Sequence, residues 1–204
     1  MEAKEQVARA LLDMGAVVYT PDAPITFKSG IVSPIYVDNR RLPYVPEAWH
    51  QVIECFAQVA EALDFDVIAG IETGGIPHSA ALAYTMGRPS VFVRKQAKEH
   101  GMKRRVEGGE VAGKRVLLIE DLITTGGSSL SGVEALKDEG ATVAACLAIF
   151  SYGFPQADEA FKAAGVPLIT LTSLDAVLET AAQTGIFSAE AIETVQAWGR
   201  KVAG

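Results

Sequence analysis

Apolar runs of strand length recur through the middle of the chain, and polar, turn-forming residues separate them. Five of these runs, residues 66–72, 90–94, 115–121, 142–150 and 167–172, are nearly continuous in apolar and β-branched side chains. Strands covered on both faces require that continuity, whereas a half-exposed strand alternates. Between the runs the apolar spacing changes to that of a helix, at residues 76–86, 128–139 and 155–164. Strands alternating with helices predict an α/β fold with a five-stranded, mainly parallel, doubly wound sheet.

Two pieces flank this core. Residues 1–45 open with an amphipathic helix and continue into a Pro- and Gly-rich stretch. Residues 46–63 then place apolar side chains at 49, 52, 53, 56, 59, 60 and 63, the spacing of one buried helical face. At the other end Ser188 predicts the N-cap of a final helix reaching residue 202. The expected organisation is an N-terminal segment, 1–45, and a core, 46–204. The core is interrupted at 95–114 by a polar, basic, glycine-containing stretch without apolar period. A loop of that length in a compact domain is usually functional or mobile.

Composition narrows the class. Cys55 and Cys146 fall in apolar stretches without CxxC spacing, which predicts reduced core thiols and a cytoplasmic protein. The N-terminal helix is acidic and lacks the apolar centre of a signal peptide. No apolar run reaches the length of about 18 residues that a membrane span needs. A formal net charge of −7 argues against a nucleic-acid binder. The charge is uneven, however: residues 94–105, RKQAKEHGMKRR, hold six of the eighteen Lys and Arg. A local anion site is therefore open.

Residues 116–129, VLLIEDLITTGGSS, carry the strongest chemical signal. A strand runs into two adjacent carboxylates, Glu120 and Asp121. Thr124, Thr125, Gly126, Gly127 and Ser128 follow as a small-residue loop that opens a helix. Glycine lets the backbone approach a ligand, and free N–H groups at a helix start attract phosphate. The two carboxylates would repel phosphate but suit hydroxyls or a cation, so a sugar phosphate fits both halves. The plain alternative is a capped helix after a strand with two solvated acids, which a buried strand ending in adjacent acids makes the weaker reading. Residues 108–114, GGEVAGK, imitate a Walker loop, but Arg115 stands where Ser or Thr is required and the segment precedes a strand. No GxGxxG is present, so nicotinamide and flavin cofactors are not indicated. His50 and His78 lie on helices without metal-ligand spacing and read as packing or surface residues.

The same segment resembles the motif with which type I phosphoribosyltransferases bind 5-phosphoribosyl-1-pyrophosphate (PRPP). Three others are similar to orotate phosphoribosyltransferases in particular. Residues 27–40, FKSGIVSPIYVDNR, match the signature K-S-G-x-x-S-P-x-Y, residues 94–101, RKQAKEHG, match the loop R-K-x-x-K-x-H-G, and residues 70–77, GIETGGIP, are similar to the family's pyrophosphate-contacting loop.

The resemblance implies a type I phosphoribosyltransferase fold in which 1–45 form a small base-binding hood packed with the C-terminal helix. It implies transfer of phosphoribose from PRPP to orotate, giving orotidine 5′-monophosphate. Glu120 and Asp121 would hold the ribose hydroxyls, and Thr124, Thr125, Gly126, Gly127 and Ser128 the 5′-phosphate. Glu72, Thr73 and Gly74 would lie against pyrophosphate, although Glu72 also reads as a simple strand-end charge. Arg94, Lys95, Lys98 and His100 would stabilise the leaving group, with Asp121 counted among the catalytic residues. Lys28 would pair with the orotate carboxylate, and the backbone at Tyr36 and Val37 would meet the ring. Mg2+ would be held mainly by PRPP, and the loop would be shared across a homodimer. Lys103, Arg104 and Arg105 match the pattern less closely and read as surface charge. One departure is clear: the family's Asp-Arg pair after the fourth strand is absent from residues 149–154, IFSYGF, where Tyr152 or Phe154 could stack on the ring. Two rivals remain: a phosphoribosyltransferase for a purine base, and a PRPP-sensing regulator that binds RNA or DNA without catalysis. The first has no use for Lys28, and the second needs a basic face that this acidic chain concentrates elsewhere.

Overall fold

A computed structural model describes residues 3–96 and 104–204. The chain opens with α1 (Ala3–Asp13), whose residues Val7, Leu11 and Leu12 are buried at helical spacing. Four short strands follow: β1 (Val17–Tyr19), β2 (Ile25–Thr26), β3 (Val32–Ser33) and β4 (Ile35–Val37). They pair as two antiparallel ribbons, β1 with β4 and β2 with β3. A 3-10 turn at Asn39–Tyr44 leads into α2 (Pro46–Ala60), which starts at Pro46, a residue suited to a first helical position.

The core continues as β5 (Val67–Ile71), α3 (Gly75–Met86), β6 (Ser90–Val93), β7 (Val106–Glu107), β8 (Arg115–Ile123), α4 (Gly127–Asp138), β9 (Thr142–Ser151), α5 (Pro155–Ala164) and β10 (Leu168–Ser173). Two helices close the chain, α6 (Leu174–Thr184) and α7 (Ala189–Ala203). The strands form a six-stranded sheet in the order β10-β9-β8-β5-β6-β7. Neighbours are parallel except β7, which runs antiparallel to β6 through the partners Phe92–Glu107 and Val93–Val106.

The doubly wound reading is borne out, with specific differences. The sheet has six strands, not five, because two residues inside the expected 95–114 loop pair at its edge. Val106 and Val111 there are also buried, so that segment is not loop throughout. Two paired residues among basic neighbours leave no visible period. Strand β8 ends at Ile123, two residues beyond the expected Asp121, and α6 was not anticipated because it follows β10 with no intervening turn residue. Ser173 and Ser188 cap α6 and α7, accepting the N–H of Ala176 at 3.4 Å and of Ala191 at 3.2 Å.

Both sheet faces are covered. Leu117 and Ile119 of β8 face a cluster built with α1, α2, α3 and α6, while Val116 and Leu118 face α4 and α5. Each such fully buried aliphatic side chain contributes about 1.5–3 kcal/mol. This two-sided alternation along β8 fixes where its terminal acids point. The C-terminal helix touches the N-terminal segment through Trp198, whose indole N–H donates to the Val32 carbonyl at 2.7 Å and whose ring meets Phe27 edge-on. Among the described residues no helix is long and apolar enough to cross a membrane.

Candidate functional site

A cleft of about 400 Å3 opens beyond the carboxyl ends of β5, β6 and β8, the usual ligand position in an open α/β sheet. Residues 27–29 and 124–129 line it together with Lys95, Arg105 and Ser131. Strand β8 turns into α4 through Gly126, whose φ of +80° is open to glycine and strained for other residues.

The starts of α2 to α7 divide into two kinds. Pro46 and Pro155 begin α2 and α5, and serines cap α6 and α7. Helices α3 and α4 have neither, only Gly74 and Gly126 without a side-chain cap. Their first-turn amides are left for an outside acceptor, and an anion is the one the helix dipole favours. Both of these helices follow the strand ends that border the cleft.

The adjacent acids are separated by the pleat, because successive side chains of a strand point to opposite faces. Glu120 turns to the α4 side, where it is 5% exposed. Its Oε2 accepts the Ser129 hydroxyl at 3.1 Å and its Oε1 the Asp121 N–H at 3.1 Å. Burial, reinforced by the neighbouring Asp121 charge, pushes its pKa well above the ordinary carboxyl range and favours the protonated acid. Asp121 turns to the α3 side and lies against Gly74: a Cβ built on Gly74 would meet Asp121 Oδ2 at 2.1 Å. Asn39 fixes the strand there by donating from Nδ2 to the Asp121 carbonyl at 2.6 Å.

After β5 the Glu72–Thr73 peptide is cis. The Glu72 N–H donates to the Val93 carbonyl at 2.9 Å, and its carboxylate accepts the Lys95 N–H at 2.8 Å. Glu72 thus ties the β5 loop to the start of the basic segment. Thr73 is exposed and Gly74 buried.

Of the basic residues, Lys95 is exposed and lines the cleft. Arg94 sits across the β6–β7 pair, with Nη1 3.3 Å from Glu107 Oε1. Lys98 and His100 lie outside the described residues. Arg105, read from the sequence as surface charge, is half-buried against the cleft; pairing of β7 with β6 turns it inward.

In the N-terminal segment Lys28 is exposed at the cleft. The Tyr36 hydroxyl accepts from Arg40 Nη2 at 2.8 Å and lies within electrostatic reach of Asp121. Val37 is 1% exposed, its side chain in the core. Tyr152 and Phe154 stack at 5.7 Å and are themselves buried, so neither ring is free to meet a ligand. The aromatic that reaches the cleft is Phe27, packed on Tyr152 at 4.9 Å. Its position directly before Lys28 is the only signal the sequence held for it.

Behind Asp121 sits His78, fully buried. Trp49 Nε1 donates to its Nδ1 at 3.0 Å, which leaves the proton on Nε2, and that atom has no partner among the described residues. Burial lowers its pKa to about 4, against the opposing pull of Asp121. Helical position alone gave no hint of that pairing.

The model of the phosphoribosyl transferase domain family matches residues 45–169. The orotate phosphoribosyltransferase of Staphylococcus saprophyticus is 40% identical over 194 residues, covering 94% of this chain and 96% of that protein. A structure of Leishmania donovani UMP synthase superposes with a TM-score of 0.83 at 25% identity, covering 97% of this chain and 42% of that one. The crystal structure of Mycobacterium tuberculosis orotate phosphoribosyltransferase in complex with PRPP gives a TM-score of 0.68 at 28% identity, over 86% and 98% of the two chains.

Proposed function

The chain belongs to the orotate phosphoribosyltransferase family, and from that premise we propose that its cleft seats PRPP on residues 124–128 with orotate beside Lys28. The enzyme transfers the 5-phosphoribosyl group of PRPP to orotate in pyrimidine synthesis, releasing pyrophosphate. The observation that carries the site assignment is the sharing of one cleft by Lys28, Lys95 and the uncapped start of α4.

In this reading the 5′-phosphate takes the α4 amides and the Thr124, Thr125 and Ser128 hydroxyls, while Gly126 and Gly127 allow close approach. Asp121 meets the ribose hydroxyls; Glu120, expected from the resemblance to hold them as well, is buried against Ser129 and instead supports the strand from the other face. Glu72, Thr73 and Gly74 border the diphosphate at the uncapped start of α3. As the C1′–O bond breaks, negative charge grows on the departing diphosphate, and Arg94, Lys95, Lys98 and His100 stabilise it more in the transition state than in the ground state. Lys28 pairs with the orotate carboxylate, and Tyr36 and Val37 form the backbone edge beside the ring.

Magnesium is implied by the family. Among the described residues no cluster of three His, Cys, Asp or Glu side chains forms a cage for an ion. Single hard carboxylates such as Asp121 and Glu72 would suit a Mg2+ ion held mainly by PRPP. The ion supplies charge neutralisation at the diphosphate.

We further place the protein in the cytoplasm as a homodimer in which the basic stretch beginning at Lys95 is shared between subunits while Val106 and Val111 stay in their own core, with residues 1–45 acting as the hood. Cys55 and Cys146 are free and buried, as a reducing compartment favours. Tyr44 and Tyr84, 88% and 91% exposed, are rings that a subunit contact would cover. Neither nucleic acid nor membrane is among the expected partners.

The test offers purified protein PRPP and Mg2+ with orotate, adenine or hypoxanthine. Orotate absorbance should fall while the purines are untouched. Consumption of a purine in place of orotate would overturn the acceptor assignment.

A further inference from the structure

Arg94 and Arg105 differ in how their charges are met. Arg94 has its charge balanced by Glu107 at 3.3 Å. Arg105 is half-buried, yet no carboxylate among the described residues lies within ion-pairing distance of it. Among the described residues its guanidinium is nevertheless held, and by neutral acceptors alone. Nε donates to the Arg94 carbonyl at 2.8 Å, and Nη1 donates to both the carbonyl and the hydroxyl of Ser131 at 3.0 Å. Ser131 belongs to α4, one turn along from Gly127 and Ser128, so Arg105 is anchored to the helix whose N-terminus forms the phosphate cradle. It lines the same cleft as residues 124–129. Nη2 makes no hydrogen bond among the described residues.

A partly desolvated cation with no counter-charge is costly unless an anion completes it. The planar fork is also the geometry that suits phosphate oxygens. Resting on the reading of this cleft as the PRPP seat, we propose that Arg105 is an additional ligand of the sugar 5′-phosphate, presented to the cradle by Ser131. The contact would be charge-assisted. Because Arg105 also holds the Arg94 carbonyl, filling the cradle would steady the segment that carries Lys95.

The test measures inhibition of the forward reaction by ribose 5-phosphate, which offers only the 5′-phosphate end, and separately by pyrophosphate, which offers only the leaving-group end. Turnover of orotate by the unaltered enzyme is the first measurement; its absence would remove the reading of the cleft itself. Given turnover, Arg105→Gln should weaken inhibition by ribose 5-phosphate about tenfold or more, the size of one hydrogen bond to a charged group. Pyrophosphate inhibition should change little, and Arg105→Lys should restore part of the loss. An unchanged response to ribose 5-phosphate in a folded Arg105→Gln enzyme would overturn the proposal, even if kcat fell. A shift confined to pyrophosphate would do the same, since it would put the charge at the leaving group.

Discussion

The Asp121 carboxylate occupies the space that a side chain on Gly74 would enter, with Oδ2 only 2.1 Å from an ideal Cβ there. Two strand ends, after β5 and β8, are thereby brought into direct contact by the absence of one carbon. Gly74 has φ −68° and ψ −35°, which alanine adopts without strain. Gly74→Ala should therefore fold but push Asp121 aside. A displacement of about 1 Å at a reacting centre can cost about a hundredfold, and a loss approaching that in kcat/KM for PRPP is expected with a nearly unchanged melting temperature. Gly75→Ala is the contrast, because its Cβ would meet the Ile119 carbonyl oxygen of the strand backbone at 2.4 Å. That variant should lose about 1–3 kcal/mol of stability. Equal PRPP kinetics in Gly74→Ala and the unaltered enzyme would show that Asp121 is not used.

The basic loop gives a kinetic prediction. Removing one positioned donor from a developing anion costs about a hundredfold to a thousandfold in kcat. Lys98→Ala should show a loss of that order with normal unfolding behaviour, since the substitution removes a charge and adds no bulk. Turnover within twofold of the unaltered enzyme would take Lys98 out of the chemistry.

Much of this was legible beforehand, for identifiable reasons. The parallel strands announced themselves because burial on both faces demands unbroken apolar runs. The cradle was visible because phosphate needs backbone amides, and only small residues expose them. The separation of Glu120 from Asp121 could also have been read, since it follows from the period of a strand once β8 is known to continue to Ile123. What could not be read is what depends on tertiary contact. Arg105 looks like its basic neighbours until β7 pairs with β6. Tyr152 and Phe154 look available until Phe27 and Trp198 close over them.

Trp198 allows a test of how the two ends of the chain are joined. Its indole N–H donates to the Val32 carbonyl at 2.7 Å, and its ring packs against Phe27, Tyr152 and Phe154. Trp198→Phe keeps an aromatic body and deletes the donor. The cost should be about 1 kcal/mol, or a fall of about 2–4 °C in melting temperature for a chain of this size. Because Phe27 lines the cleft beside Lys28, KM for orotate should rise while KM for PRPP stays near its original value. A change in PRPP alone would argue that Phe27 and Lys28 do not form the base side.

His78 gives a pH dependence whose sign follows from its burial. Its folded pKa is lowered to about 4, against about 6.5 in an unfolded chain. Between those values the unfolded chain binds a proton that the folded one does not. Stability from this group is therefore fully present above about pH 6.5 and is lost as pH falls towards about 4. Glu120 works in the opposite direction, because its raised pKa gives stability that is lost as pH rises. The two are separated by comparing the unaltered protein with His78→Gln, whose amide oxygen can still accept from Trp49. Urea unfolding of both at pH 7 and pH 4.5 should show the difference moving in favour of the variant by about 2–3 kcal/mol at the lower pH. If the two proteins instead lose stability in parallel, His78 is already protonated in the folded state. Its Nε2 proton would then no longer be the only one on the ring, and Trp49 could not be donating to Nδ1.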